Sequence, residues 1–198
     1  MGRPKAHDAA TRLALLDAAE RLIDAHGPDA VSVRGVADAV GTTTRAVYSV
    51  FGSKHGLLEA LAIRLFEILG DAIDRVPHTE DPAADLVTAG VHAFRATAIA
   101  HPSLYRLVFG RVVPDARLGS EFGAVASAGF GRLVALVARV ERAGALGSRT
   151  VGDAAVEFHA LTEGLATVEL RGQMLDPSAA EGVWQDALTA LVRGWASG

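Results

Sequence analysis

Apolar residues recur at helical spacing along almost the whole chain, and no segment keeps the two-residue alternation of a half-buried strand. That pattern predicts an all-α fold. It is sharpest between Ser32 and Leu58, where two short helical patterns flank Gly41 and a third begins after Gly52. A glycine between two short amphipathic helices lets them pack at a steep angle. Val36 and Ala37 form the inner face of the first helix, Val47 and Phe51 that of the second. The second opens on Thr42-Thr43-Thr44-Arg45, a run poorly suited to burial and well suited to touching something polar.

Capping residues mark where these helices begin. Ser32 is placed to cap a helix through Val40, and Thr43 to cap the next. Ser53 is placed to cap a long helix carrying Leu57, Leu58, Leu61, Leu65, Phe66, Leu69 and Ile73, although Gly56 stands where a capping-box Glu would help. Upstream, Leu15, Leu16, Ala19, Leu22 and Ile23 share a helix face from Thr11, ended by Gly27-Pro28. Residues 2–10 lack periodicity, and Gly2-Arg3-Pro4-Lys5 reads as a flexible basic arm. Pro77 to Pro82 is a polar linker. Helical patterns follow over 83–100, 103–109, about 119–143, 151–174 and 178–196, the last opened by a Ser178-x-x-Glu181 box. The expected division is a three-helix domain over 1–52 and a larger helical domain over 53–198, with helix 53–76 connecting them.

Composition excludes several functions. There is no cysteine, which removes disulfides, thiolate nucleophiles and Cys-ligated metals. No nucleophile constellation or phosphate loop stands out, so an enzyme is not expected, and no cofactor is implied. No apolar run approaches the ~20 residues of a membrane-spanning helix, and no secretory h-region is present. The expectation is a soluble cytoplasmic protein without a membrane partner. The formal net charge of −4 conceals a mild asymmetry: residues 1–55 hold seven basic side chains against six acidic ones. Lys5 and Lys54, the only two lysines, both lie there.

The Gly41 motif has the parts of a helix-turn-helix. The start of its second helix would enter the major groove. Arg45 can give a bidentate pair to guanine, and Thr44 a hydroxyl to a base or phosphate and a methyl to thymine. Tyr48, one turn later, reaches a phosphate. Ser32 and Arg34 meet the backbone from the preceding helix, and Lys54 does so from the start of the next, where free amides already favour anions. Lys5, with Arg3, supplies the arm. The competing reading is plain packing: helix–glycine–helix patterns are common in all-α proteins, threonines cap helices without touching DNA, and a tyrosine such as Tyr48 often packs half-buried.

LLDAAERLI (Leu15–Ile23) and SVRGVADAVGTTTRAVYSVFGSKHGLLEAL (Ser32–Leu61) resemble, in residues and spacing, the N-terminal domain of the TetR family of transcriptional regulators. The resemblance implies a three-helix DNA-binding domain, a two-fold homodimer on a palindromic operator, and a C-terminal helical domain that binds a small effector. The family's recognition positions fall on Thr43, Thr44, Arg45 and Tyr48, and its phosphate-binding lysine on Lys54. Arg45 stands where many members carry Gly, and Gly56 where many carry Glu, so base preference is not carried over. HPSLYRLVFG (His101–Gly110) and EGLATVELRG (Glu163–Gly172) are similar to a subgroup with a Trp-His-Gly signature, here replaced by Thr162-Glu163-Gly164.

For an effector, the expected contacts are Phe94, Leu104, Tyr105, Phe109, Phe122 and Phe130, with His159 and Glu163 as polar members. His159 and Glu163 are one helical turn apart. They suit a polar effector group, a zinc ion, or simply each other, and the aromatic residues suit an ordinary core equally well. Small and apolar residues on the last two helices suit a four-helix interface with a second copy or the core of one chain: Ala154, Ala155, Ala160, Gly164, Ala166, Ala187, Leu188, Leu191 and Trp195. The function so read is a ligand-responsive repressor. Its alternative is a helical ligand-binding protein without operator function.

Overall fold

The computed structural model describes residues 5–27, 31–110 and 119–196, with side chains from residue 9 onward. Among these residues there is no strand. Helices α1 (Lys5–His26), α2 (Val33–Val40), α3 (Thr44–Phe51) and α4 (Lys54–Asp74) come first. Next come α5 (Pro82–Thr88), a π-helical segment (Ala89–Arg95), α6 (Ala96–Ala100) and α7 (Pro102–Phe109). Then follow α8 (Ser120–Arg142), α9 (Val151–Leu170) and, after a 3-10 turn at Pro177–Ala179, α10 (Ala180–Ala196).

The chain packs as two compact units, Met1–Leu65 with Pro102–Gly123, and Phe66–His101 with Ala124–Gly198. The division falls inside α4, the helix expected over 53–76 to connect the two domains. It also brings α7 into the first unit, where Leu104 and Leu107 are buried and the Ser103 hydroxyl donates to Asp24 of α1. The core of this unit is Leu15, Leu16, Ala19, Val36, Val47, Leu57 and Leu61. Helix α1 begins at Lys5, six residues before the expected Thr11. Ala6, Ala9 and Ala10 are strong helix formers, and propensity extends the helix where no amphipathic pattern marks it. Arg3 and the Lys5 side chain lie outside the described residues.

In the second unit, α9 and α10 are locked in register by two tryptophans. The indole N–H of Trp184 donates to Glu169 at 2.8 Å and that of Trp195 to Glu157 at 2.7 Å. Both rings are fully buried, and each N–H reaches a carboxylate. Arg95, at the end of the π-helical segment, donates to both Glu169 oxygens at 2.9 and 3.1 Å, and to Glu181 at 3.1 Å. The segment lies close to its neighbours because Gly90 has no side chain: a Cβ there would stand 2.4 Å from Leu188 Cδ1 and 3.0 Å from Phe158 Cζ. Glu181 is thus drawn to Arg95, and Asp176, not Ser178, caps the last helical stretch by accepting from the Ser178 N–H at 2.9 Å.

Of the residues weighed for an interface or a core, Ala154, Ala155, Ala166, Leu188 and Trp195 are buried in the core of one chain. On α9 the outward row is instead Val156, Ala160, Gly164 and Val168. Helix α8 is, by length and composition alone, apolar enough to cross a membrane, a run the sequence reading did not expect. Its glycines and alanines hide this in the sequence. Arg132 and Arg139 nevertheless commit its C-terminal half to ion pairs with Asp74 and Asp85.

Candidate nucleic-acid interface

The helix-turn-helix geometry is set by two caps and one glycine. Ser32 Oγ accepts from the Gly35 N–H at 3.0 Å, and Thr43 Oγ1 from the Ala46 N–H at 3.2 Å, fixing the first turns of α2 and α3. Gly41 closes α2 in the left-handed region, at φ 69°, and the Thr42 N–H bonds back to the Ala37 carbonyl at 2.9 Å. Residues with a Cβ rarely adopt that backbone. Val36, Ala37 and Val47 are buried between the helices. Phe51 is half-buried, with the Arg12 guanidinium 5.6 Å from its ring centre.

Burying Val47 turns the opposite side of α3 outward. Thr43, Thr44, Arg45 and Tyr48 all reach the surface, Tyr48 with 51% exposure. Half of the tyrosine surface is therefore available to an outside partner. Ser49 is also exposed, one turn after Arg45, so the outward surface is Thr44, Arg45, Tyr48 and Ser49. Ser49 is the one member the sequence reading missed, although its i,i+4 spacing from Arg45 was the available signal. Ser32 and Arg34 are exposed on α2, and Arg34 lies 3.9 Å from Asp38, a loose surface pair that leaves its fork accessible.

Lys54 is exposed at the first residue of α4, beside the Ser53 cap whose Oγ accepts from the Gly56 N–H at 2.9 Å. Gly56 now has a physical account. A Cβ at this position would stand 2.1 Å from the Phe51 carbonyl oxygen, so the α3–α4 turn is drawn tighter than a glutamate permits.

The expected effector residues fall into two groups. Leu104, Tyr105, Phe109 and Phe122 belong to the first unit, where the Tyr105 and Phe109 rings lie 4.7 Å apart. Phe94, Phe130, His159 and Glu163 belong to the second. There the His159 ring meets Phe94 and Phe130 edge to face at 6.2 and 5.9 Å, and its Nε2 lies 3.6 Å from Glu163. Burial pushes the His159 imidazole below its ordinary pKa, against the opposing pull of Glu163. Among the described residues no three His, Asp or Glu side chains gather as metal ligands.

Known proteins share both halves of this arrangement. The family model described as bacterial regulatory proteins, tetR family, matches residues 15–61, and that of the tetracyclin repressor-like C-terminal domain matches residues 87–191. The HTH-type transcriptional regulator Rv1816 of Mycobacterium tuberculosis is 32% identical over 96 residues, covering 48% of this chain and 41% of that protein. AlkX of the same organism is 30% identical over 115 residues, covering 56% and 53%. The chain thus spans about half the length of the curated relatives it matches, or less. Among solved structures, a protein of unknown function from Rhodococcus sp. RHA1 superposes with a TM-score of 0.81 at 28% identity, over 93% of this chain and 95% of that one. The regulator PfmR of Thermus thermophilus has the same fold, with a TM-score of 0.66 at 22% identity over 90% and 97%. With more than half its length matched by the C-terminal model and its paired short helices by the N-terminal one, the chain belongs to the TetR family of transcriptional regulators.

Proposed function

We propose that the protein is a cytoplasmic, ligand-responsive repressor that binds a palindromic operator as a homodimer and leaves it when a small effector binds. One observation carries the reading: the Thr44, Arg45, Tyr48 and Ser49 surface of α3 is exposed, while Val47 opposite it is buried. Arg45 reads a guanine edge, Thr44 and Tyr48 reach adjacent base or backbone atoms, and Ser32, Arg34, Thr43 and Lys54 hold phosphates. Lys5, at the start of α1, follows the duplex. Two copies place their recognition helices ~34–36 Å apart, one DNA turn. The outward row on α9 supplies small residues for the contact between copies. An effector shifts the equilibrium only by its differential affinity for the two states, and α4, shared by both units, is the element through which it acts.

The test is selection of bound sequences from random duplexes, followed by binding measured over a series of salt concentrations. An enriched palindrome with a steep salt slope is expected. Weak binding indifferent to sequence would leave the reading of a ligand-binding protein without an operator.

A further inference from the structure

Three arginines of α8, Arg132, Arg139 and Arg142, follow one another at spacings that put them on one helix face. They line an open groove of about 440 Å³ in the second unit, together with His78. That volume lies within the range of small-molecule sites. The floor is apolar, formed by Ile73, Ala135 and Leu136, and Asp74 is the only carboxylate among the described residues of the wall. Asp85 meets the charge of Arg139, and Asp74 with nearby Asp71 meets that of Arg132, so Arg142 is the uncompensated cation of the lining.

The three arginines are held very differently. Arg139 is fixed, donating to buried Asp85 at 2.7 Å and to the Thr79 carbonyl at 2.9 Å. Arg142 makes no hydrogen bond or ion pair among the described residues. Arg132 occupies the middle ground. Its Nε donates to the two Asp74 oxygens at 3.0 and 3.1 Å, in a pair whose side chains are 37% and 56% exposed. Exposed pairs of this kind exchange readily with other anions. The guanidinium lies directly on the α4 backbone, because a Cβ at Gly70 would stand 3.1 Å from Arg132 Cζ. The planar fork matches carboxylate and phosphate alike.

We propose that this groove binds a small oxyanion, a carboxylate or phosphate carried on a short apolar stem, and that its binding draws Arg132 from Asp74 at the end of α4. Arg142 and His78 donate to the incoming head group, Arg139 holds the wall in place, and the stem lies on Ile73 and Leu136. As an effector site it rests on the repressor reading; as a binding site it does not.

Calorimetric titration of the full chain without DNA tests the site separately from operator recognition. The probes are hexyl phosphate, hexanoate, inorganic phosphate and hexanol at low salt. Saturable binding of hexyl phosphate or hexanoate is expected, about tenfold tighter than inorganic phosphate or hexanol. The tighter of the two identifies the head group. Arg142→Ala weakens that binding about tenfold, whereas Asp74→Asn, which removes the competing carboxylate, tightens it severalfold. A gain of affinity is not an outcome that damaged folding produces. The proposal is overturned by no saturable binding, by equal binding of hexanol, by equal binding of inorganic phosphate, or by an Asp74→Asn variant no tighter than the parent.

Discussion

The helix-turn-helix and the second unit use their charged side chains in opposite ways. In the helix-turn-helix, Arg34, Arg45 and Lys54 are exposed, and of these three only Arg34 has an acid within ion-pair distance among the described residues, at 3.9 Å. In the second unit, Arg95 holds Glu169 and Glu181, Arg139 holds buried Asp85, and two indoles hold Glu157 and Glu169. The helix-turn-helix keeps its cations available to an outside partner, although Arg64, later in the same unit, ties α4 to α1 through Asp17 and Glu20. The second unit uses Arg95 and Arg139 to fix helices against one another. Removing such a charge should cost stability in the second unit, and removing an outward one should cost affinity in the helix-turn-helix.

The largest effect is expected at Asp85. It accepts from the Thr79 N–H at 2.8 Å, the Thr79 hydroxyl at 2.7 Å and Arg139 at 2.7 Å. Removing one partner of a buried pair strands the other, and Asp85→Ala should lose about 3–5 kcal/mol in denaturant unfolding. Burial pushes the Asp85 carboxyl up, but the Thr79 and Arg139 bonds together outweigh it and hold the pKa below the usual carboxylate range. The folded-state pKa is thus depressed. Its stabilising contribution is complete above the unfolded value of about 3.9 and fades as pH falls through the lower folded value. Titrating stability from neutral pH downward should show this acid-side component in the parent and not in the variant. A loss under about 1 kcal/mol would place Asp85 with ordinary surface acids and dissolve the contrast between the units.

Next in size is Gly90. An alanine inside a helix ordinarily stabilises by roughly 0.5–1 kcal/mol relative to glycine. Here the added methyl meets fully buried Leu188 and nearly buried Phe158, so overpacking should win and the variant lose about 1–3 kcal/mol. A raised melting temperature for Gly90→Ala would show that the π-helical segment is loosely seated.

The same contrast explains what could be read from the sequence. Caps and glycine turns are local, so α2, α3 and the start of α4 follow from Ser32, Gly41, Thr43 and Ser53 almost to the residue. The second unit is fixed by partners distant in the chain. That Gly90 makes room for Leu188, that Glu169 is shared by Arg95 and Trp184, and that Arg139 reaches Asp85 are all invisible to periodicity. The residues weighed for effector contact likewise fall in both units, Leu104, Tyr105, Phe109 and Phe122 in the first and Phe94, Phe130, His159 and Glu163 in the second. The helix covering 82–100 was legible, but its π-helical middle was not, because the tight approach to α9 and α10 selects it.

On the DNA-binding side the expected effects leave the fold unchanged. Arg45→Ala should weaken binding to the selected operator by about 1–3 kcal/mol and relax preference at one base position. Because the side chain is exposed and buries nothing, its unfolding free energy should stay within about 0.5 kcal/mol of the parent. Equal loss on operator and random duplexes would demote Arg45 from base reading to phosphate contact.

The smallest effect separates positioning from reading on the same surface. Lys54 stands at the first residue of α4, where the amides of a long helix already favour a phosphate. Neutralising one phosphate contact changes the slope of log affinity against log salt by about 0.9, whatever the sequence bound. Lys54→Ala should show that decrease on operator and random duplex alike, with the operator's rank among sequences unchanged. If the slope holds and the rank shifts instead, Lys54 reads bases, and the recognition surface extends beyond α3 into the helix shared by both units.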